Sequence, residues 1–172
     1  MRAVSRCFAV LLTMAVIASP LLAQSSRDQD AINQLIDRYG QLEDAGDMVA
    51  QGELMTTDRI WIGQGAGRRT DQAMNMRLQL AGFDVQKEIL PRVQWFTEAR
   101  DRIIRFYGNG SVAVASFYWY RTFTLPSDAP DDIVQNATQP QPLVFTLVLE
   151  KQGAEWKIVH THNSQLGPPV GQ

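Results

Sequence analysis

The sequence predicts an α+β domain in which N-terminal helices pack on one face of a curved, mainly antiparallel β-sheet. Two observations predict this class. Apolar residues recur at helical spacing in the first half of the chain, and from Val93 onward the segments are rich in β-branched and aromatic residues, as strands are. No linker separates two apolar cores, so residues 24–172 are expected to form a single domain.

The composition excludes several classes of protein. The chain has 172 residues, 45% of them hydrophobic, and a net charge of −2. Disordered chains combine low hydrophobicity with high net charge, which this chain does not. Binding to nucleic acid depends mainly on Lys and Arg that neutralise phosphates, and no basic block is present. We therefore expect a small molecule or another protein as the partner, and no nucleic acid.

The N-terminus has the pattern of a secretory signal peptide. Arg2 and Arg6 precede the uncharged, apolar run Cys7–Ala18, and the small residue Ala23 follows. The run is shorter than the roughly 20 residues of a membrane-spanning helix, although a retained N-terminal anchor is the alternative. Cleavage after Ala23 would give a periplasmic or secreted protein with no membrane association. It would also remove the chain's one cysteine, which excludes disulfides from the mature form.

Two helices are predicted early in the chain. The first spans Asp28–Ala45 and ends at Gly46, which tolerates the left-handed conformation of a helix end. Its apolar stripe consists of Ile32, Leu35, Ile36, Tyr39 and Leu42. Asp47 is expected to cap a short second helix that ends at about Met55.

A strand and a third helix follow. The strand is predicted at Arg59–Gly63 from its β-branched and aromatic content. Asp71 is predicted to cap a helix that runs to about Leu80 and ends at Gly82. The apolar face of this helix would contain Ala73, Met74, Met76, Leu78 and Leu80.

The second half of the chain is predicted to form two β-hairpins. The first hairpin joins a long, bulged strand over Val93–Tyr107 to a strand over Ser111–Phe123 through the turn Gly108–Gly110. Residues 125–142 are predicted to form a long loop. The second hairpin pairs Leu143–Lys151 with Glu155–Ser164 across residues 152–154. In the strand that contains Tyr118, Tyr120 and Thr122, both faces are largely apolar, so both need cover. Helices would cover one face. The other would be a subunit interface or the wall of a cavity, which these three residues would line.

Four segments in this order resemble the nuclear transport factor 2-like superfamily, and its SnoaL-like branch most closely. They are LEDAGD, ELMTTDRIWIGQG, IIRFYGNGSVAVASFYWY and LVLEKQGAEWKIVHTHNS, and the resemblance covers Asp28–Leu166. It implies a cone of strongly bent sheet around a long helix, with a pocket at one end and homodimerisation through the sheet. It implies no single reaction, because the fold hosts isomerases, dehydratases, cyclases and binding modules. The catalytic members mostly work without a metal, so no metal or cofactor is expected.

Three residues are candidates for proton transfer. Asp58 matches an acidic position that the family has near the pocket mouth, and desolvation by Trp61 or Tyr118 would raise its pKa, although Asp is also common in turns. His160 and His162 are the chain's two histidines and share one face of the last strand. They share this parity with Trp156. If Trp156 packs beneath the helix, the histidines could lie in the core or an interface, and Asn163 would point into the cavity.

The remaining candidates are wall residues of a pocket. Trp61, Trp95, Tyr118, Tyr120 and Arg121 could surround a ligand, or the aromatic rings could be plain core. His-x-His also has metal-ligand spacing with Asp58 as a third ligand, but no metal is expected. Three functions follow: an exported domain that binds a small, largely apolar molecule; a metal-independent isomerase, cyclase or dehydratase that uses Asp58 or His162; and a dimeric association module.

Overall fold

The computed structural model describes residues 26–63, 68–89 and 92–167. The chain divides into two units, Met1–Gln34 and Leu35–Gln172, and the described part of the first is the helical segment 26–34. The predicted signal peptide, residues 1–23, lies outside the described residues. Among the helices of the described ranges, none combines the length and apolar character needed to cross a membrane.

The two early helices form as predicted. Helix α1 occupies residues 26–45 and ends at Gly46, whose φ is 70°. The five residues of its predicted apolar stripe are all buried. Helix α2 is Met48–Glu53, and the Asp47 carboxylate caps it by accepting a hydrogen bond from the Ala50 amide at 3.0 Å. Helix α2 ends before the predicted Met55, because the carbonyl of residue 54 accepts a hydrogen bond from the amide of Ile158 at 2.9 Å.

The predicted bounds of the next strand and helix were wrong. Strand β1 is Met55–Ile62 and begins four residues before Arg59. After the short strand β2, Arg68–Arg69, helix α3 spans Gln72–Ile89 and continues through Gly82. A glycine inside a helix costs only about 1 kcal/mol, and the residues after Gly82 include good helix formers, so the helix is not interrupted.

The predicted apolar face of α3 was also wrong. Met76 is buried, but Met74 and Leu78 are exposed, and the other buried residues of the helix are Gln72 and Asn75. One hydrogen bond to each side chain partly compensates this polar burial. The Gln72 amide donates to the Gly52 carbonyl at 3.0 Å, and the Asn75 amide oxygen accepts from the guanidinium of Arg69 at 2.7 Å.

Within the described ranges, six strands form one sheet in the order β2-β1-β6-β5-β4-β3. The remaining strands are β3, Gln94–Tyr107; β4, Val112–Thr124; β5, Leu143–Gln152; and β6, Glu155–Gln165. The β1–β6 pair is parallel and the other pairs are antiparallel, which confirms the predicted α+β class and both hairpins. The segment predicted as a plain loop contains a short helix α4, Asp131–Asn136. The predicted bulge in β3 lies between Arg100 and Ile103.

A second bulge, in β6, changes which residues face inward. Val148 pairs with His160, but Leu149 pairs with Ile158, so Val159 is an extra residue on β6. The alternation of side chains reverses at this point. Trp156 and Ile158 are buried before the bulge and Thr161 after it, whereas His160 is half-buried and His162 exposed. The predicted common parity of Trp156 with the two histidines was therefore wrong.

The buried face of the sheet holds the core of the second unit. Ala113, Ala115, Phe117, Trp119 and Phe123 of β4 are buried beside Phe145, Leu147 and Leu149 of β5. The Tyr39 ring meets Trp119 edge-on, with ring centroids 5.6 Å apart. Gly40 permits this close approach of α1, because a β-carbon there would lie 3.2 Å from the Trp119 indole.

The other residues of β4 lie on the outer face. Val114 and Ser116 are half-buried, Tyr118 is 37% exposed, and Tyr120 lies under the guanidinium of Arg100, 4.7 Å from its ring centroid. These residues alternate with the buried set, so they face away from the helices. The prediction that Tyr118, Tyr120 and Thr122 wall a cavity was wrong, because the cavity lies on the Trp119 side of the strand.

Candidate functional site

A cavity of about 530 Å³ opens within the second unit between α1, α3 and the buried face of the sheet. Its aromatic lining comes from Tyr39 of α1, Trp61 of β1, Trp119 of β4 and Phe145 of β5. Its polar lining includes side-chain amides and three charged residues. A cavity of this size, lined by aromatic side chains and by polar side chains that converge on it, is typical of a site for a small organic molecule.

The Trp61 indole is fixed in the cavity wall by its neighbours. A β-carbon at Gly63 would lie 2.0 Å from the Trp61 ring, so the ring occupies the space that any side chain would fill. The guanidinium of Arg69 lies over the Trp61 ring, 5.0 Å from its centroid. Glycine at position 63 therefore leaves the space that the Trp61 ring occupies.

Glu43 and Arg121 form the charged wall of the cavity. The Glu43 Oε1 atom lies 3.5 Å from Arg121 Nη1, and the side chains are 16% and 18% exposed. Burial raises the pKa of Glu43, while the charge of Arg121 and a hydrogen bond from Gln51 partly oppose this. A carboxyl group with a raised pKa in a partly enclosed site can hold and release a proton closer to neutral pH than an exposed one can.

Arg121 is positioned by aromatic and acidic neighbours. Its guanidinium lies over Trp95, 4.0 Å from the ring centroid, and its Nε lies 3.7 Å from Asp44 Oδ1. Asp44 is itself held by Thr97, whose amide and hydroxyl donate to its two carboxylate oxygens at 2.8 and 2.5 Å. The Nε and Nη2 atoms of Arg121 are buried without a hydrogen-bond partner among the described residues.

A second buried cation, Arg59, lies near Tyr39. Arg59 is 1% exposed, and its Nη1 donates to the Thr161 hydroxyl at 3.2 Å. Burial lowers the pKa of Arg59, and the Tyr39 hydroxyl opposes this by interacting with the guanidinium. Burial and the nearby Glu43 charge raise the pKa of Tyr39 well above its ordinary range, so its hydroxyl stays protonated. Tyr39 can therefore donate a hydrogen bond into the cavity.

The structure brings together some of the residues that the sequence singled out. Trp61, Arg121 and Asn163 line the cavity, and Trp95 supports Arg121 from behind. Tyr118 and Tyr120 lie on the outer face of the sheet. The bulge at Val159 explains why Asn163 points inward and its neighbour His162 does not.

Asp58 and the histidines lie outside this cavity. Asp58 is an exposed residue inside β1, and with His160 it lines a separate, open surface cleft of about 730 Å³. Burial lowers the pKa of His160, and the charges of His162 and Arg59 lower it further. Within the described ranges, no group of three or more His, Cys, Asp or Glu side chains is arranged to hold a metal ion.

Tyr39, Glu43 and Trp119 were not singled out as site residues from the sequence. Tyr39 was interpreted as part of the apolar stripe of the first helix, and it is partly a core residue. One signal was available: Glu43 follows Tyr39 by four residues, so the two share a helix face, and a carboxylate beside a buried aromatic residue is uncommon there. That spacing points to a polar site at the buried end of the α1 stripe.

An α+β domain with a cavity between its helices and a mixed sheet is the architecture of the SnoaL-like and nuclear transport factor 2-like proteins. The family model for the SnoaL-like domain matches residues 14–168, so the chain belongs to this family. None of the curated proteins matches the chain.

Solved structures show the same fold. One is an NTF2-like protein with a cystatin-like fold from Novosphingobium aromaticivorans, with 20% identity, a TM-score of 0.67 and coverage of 90% of each chain. A nuclear transport factor 2 superfamily protein from Salmonella enterica has 20% identity and a TM-score of 0.62 over 86% of this chain and 99% of its own. ActVI-ORFA from Streptomyces coelicolor has 13% identity and a TM-score of 0.64 over 80% and 96%. Identities this low show the fold alone.

Proposed function

We propose that this protein is an exported SnoaL-like domain that binds a small, largely apolar molecule in the cavity beside Glu43 and Arg121. The cavity itself carries the proposal: its volume is about 530 Å³, and four aromatic residues and several polar side chains line it. Aromatic walls supply apolar contact, and the polar groups orient a ligand. A purely structural module has no need of such an opening in its core.

Native mass spectrometry of the mature chain from Gln24 tests this proposal. We expect a bound small molecule that leaves on denaturation, or a rise in melting temperature with added apolar ligands by mass action. Trp61→Ala removes one wall and should abolish the retained mass. The matched control is Phe96→Ala, which removes an exposed aromatic residue that is not part of the lining. Equal retention by wild type and Trp61→Ala would contradict the proposal.

Metal-independent proton transfer, of the isomerase, cyclase or dehydratase type, is the second candidate function. The observation that favours it is the raised pKa of Glu43 at the cavity wall, next to the protonated hydroxyl of Tyr39. Asp58 and His162 lie outside the cavity, so the proposed acid–base group is Glu43. Solvent deuterium exchange into 2-tetralone, an aromatic ketone, measures proton abstraction directly. Glu43→Gln should abolish the catalysed exchange and His162→Gln should leave it unchanged; no catalysed exchange by wild type would remove this candidate.

Export and dimerisation belong to the same proposal. The order of Arg2, Arg6, the apolar run and Ala23 supports export with cleavage after Ala23. N-terminal sequencing of the protein from the exported fraction should begin at Gln24, and an N-terminus at Met1 would contradict this. The half-buried, largely apolar outer face of β4 and β5 supports a homodimer formed through the sheet.

A further inference from the structure

Helix α3 exposes an apolar stripe along most of its length. The side chains of the stripe recur at intervals of three, four or seven residues, so they lie on one side of the helix. Four of them are more than half exposed: Met74, Leu78, Val85 and Ile89. The small residues Ala81 and Gly82 lie exposed between them. Single exposed apolar residues are ordinary, but a continuous exposed apolar surface marks a site of interaction.

The opposite side of α3 covers the cavity. Gln79 is part of the cavity lining, and the Phe83 ring centroid lies 5.1 Å from the guanidinium carbon of Arg121. These contacts hold the helix on the protein by its polar and aromatic side. The small-molecule function proposed above therefore leaves the apolar stripe unused.

Two opposite charges lie along one edge of the stripe. Arg77 and Asp84 are exposed and seven residues apart, which is about two helical turns. Neither side chain forms an ion pair with another described residue. When two identical helices pack antiparallel about a two-fold axis, the same edge of each helix meets in reversed order. Arg77 of each copy then lies opposite Asp84 of the partner subunit, which gives two ion pairs.

The apolar side chains fit together in the same arrangement. The axis that pairs these charges passes the helix between positions 80 and 81. Met74 of one copy then lies between positions 85 and 89 of the other, where Val85 and Ile89 are exposed. Ala81 and Gly82 meet at the centre, where small side chains let two helices approach closely.

We propose that the stripe on α3 is an interaction surface for a second copy of this chain, and that the two α3 helices pack antiparallel through it. The charge pattern favours this partner over a membrane surface, because helices that lie on membranes carry mainly Lys and Arg on their polar side. The contact is separate from the outer face of the sheet, since α3 packs on the other face. One helix pair is smaller than a standard interface of about 800 Å² per partner. Association through α3 is therefore weak, with a dissociation constant of about 100 μM.

Cysteine cross-linking tests the packing, because the mature chain from Gln24 has no cysteine. Ala81→Cys places a thiol at the centre of the contact. Ala73→Cys is the matched control, because Ala73 is an exposed alanine of the same helix that lies off the stripe. With a short bismaleimide, Ala81→Cys should give a covalent dimer on denaturing electrophoresis and Ala73→Cys should stay monomeric. The same dimer should form when Ala81→Cys is combined with Thr146→Arg, which places a charge on the outer face of the sheet.

Charge reversal tests the identity of the partner. In Arg77→Glu or Asp84→Arg both ion pairs become repulsive, so the dissociation constant should increase about tenfold or more in sedimentation of the Thr146→Arg background. The double variant Arg77→Glu/Asp84→Arg restores both pairs and should regain the association, a recovery that misfolding cannot produce. Equal cross-linking of the two cysteine variants, no cross-link from either, or a double variant no better than the single ones would overturn the second copy as the partner. Loss of the Ala81→Cys cross-link with Thr146→Arg would overturn a contact separate from the sheet.

Discussion

The Glu43 carboxylate lies 3.5 Å from the Arg121 guanidinium at the wall of the cavity, and both side chains are largely buried. Arg121 stabilises the charged form of Glu43, but burial outweighs it, so the pKa of Glu43 is raised. The pair therefore has two charge states, one with Glu43 ionised and one with Glu43 neutral.

The pH dependence of stability follows from this pair. The folded protein binds the Glu43 proton more tightly than the unfolded chain, whose carboxyl has its usual pKa of 4.5. This contribution favours folding below that value and is lost as the pH rises through the raised folded-state pKa. Because Glu43→Gln removes the contribution, the melting temperature of the variant minus that of wild type should increase between about pH 4 and pH 8. Glu150→Gln, at an exposed position, is the control. A melting-temperature difference between variant and wild type that decreases as the pH rises would contradict the raised pKa of Glu43.

Gly63→Ala should close and strain the cavity. The new methyl group would lie 2.0 Å from the Trp61 ring, so the indole must move. We expect a loss of about 1–3 kcal/mol in the free energy of unfolding and weaker ligand binding. Gly82→Ala is the contrasting variant, because no atom lies within 4 Å of a β-carbon there and the helix continues through it. It should stabilise the protein by about 0.4–1 kcal/mol. Denaturant unfolding measures the free energy of unfolding of both variants. Equal changes in the two variants would contradict the described contact between Gly63 and the Trp61 ring.

Asn163→Ala and His162→Ala test the strand parity directly. Asn163 lines the cavity and His162 is exposed on the opposite face, although they are adjacent. Loss of one hydrogen bond of about 1 kcal/mol should weaken binding of the small molecule that the protein retains roughly fivefold in Asn163→Ala. His162→Ala should bind as wild type does. The reverse result would place the bulge elsewhere in β6.

Arg59→Met should raise the pKa of His160. Arg59 is buried, and its charge is one of the causes that lower the pKa of His160. The substitution removes that charge, so the pKa should rise in a proton NMR titration. Arg105→Met, at an exposed position, should leave it unchanged. An unchanged His160 pKa in Arg59→Met would contradict the described proximity.

Thr146→Arg should break the proposed dimer. Thr146 is half-buried on the outer face, between His162 of β6 and Ser116 of β4. A charged side chain at the centre of an apolar interface is costly to desolvate. Sedimentation should show a dimer for wild type and a monomer for the variant, with Gln152→Arg at the hairpin end as the control. A wild-type monomer at micromolar concentration would remove the dimer from the proposal.

Local chemistry made much of the fold predictable from the sequence. The stripe on α1, its end at Gly46, the Asp47 cap and the two hairpins depend on neighbours a few residues apart, and all are confirmed. The α+β class and the family resemblance followed from the order of these elements. Trp61 and Arg121 line the cavity, and both lie in strongly patterned strands.

Only the tertiary structure decided which faces the strands present. The extra residue Val159 interrupts the pairing of β6 with β5, and no local pattern in the sequence records it. It turned His160 and His162 outward and Asn163 inward. Glu43 is a second example. The sequence shows only a polar residue on a helix, and the packing of α1 against β4 places its carboxylate beside Arg121. The sequence by itself determined the elements and their order, and the packing between them decided which side chains meet in the cavity.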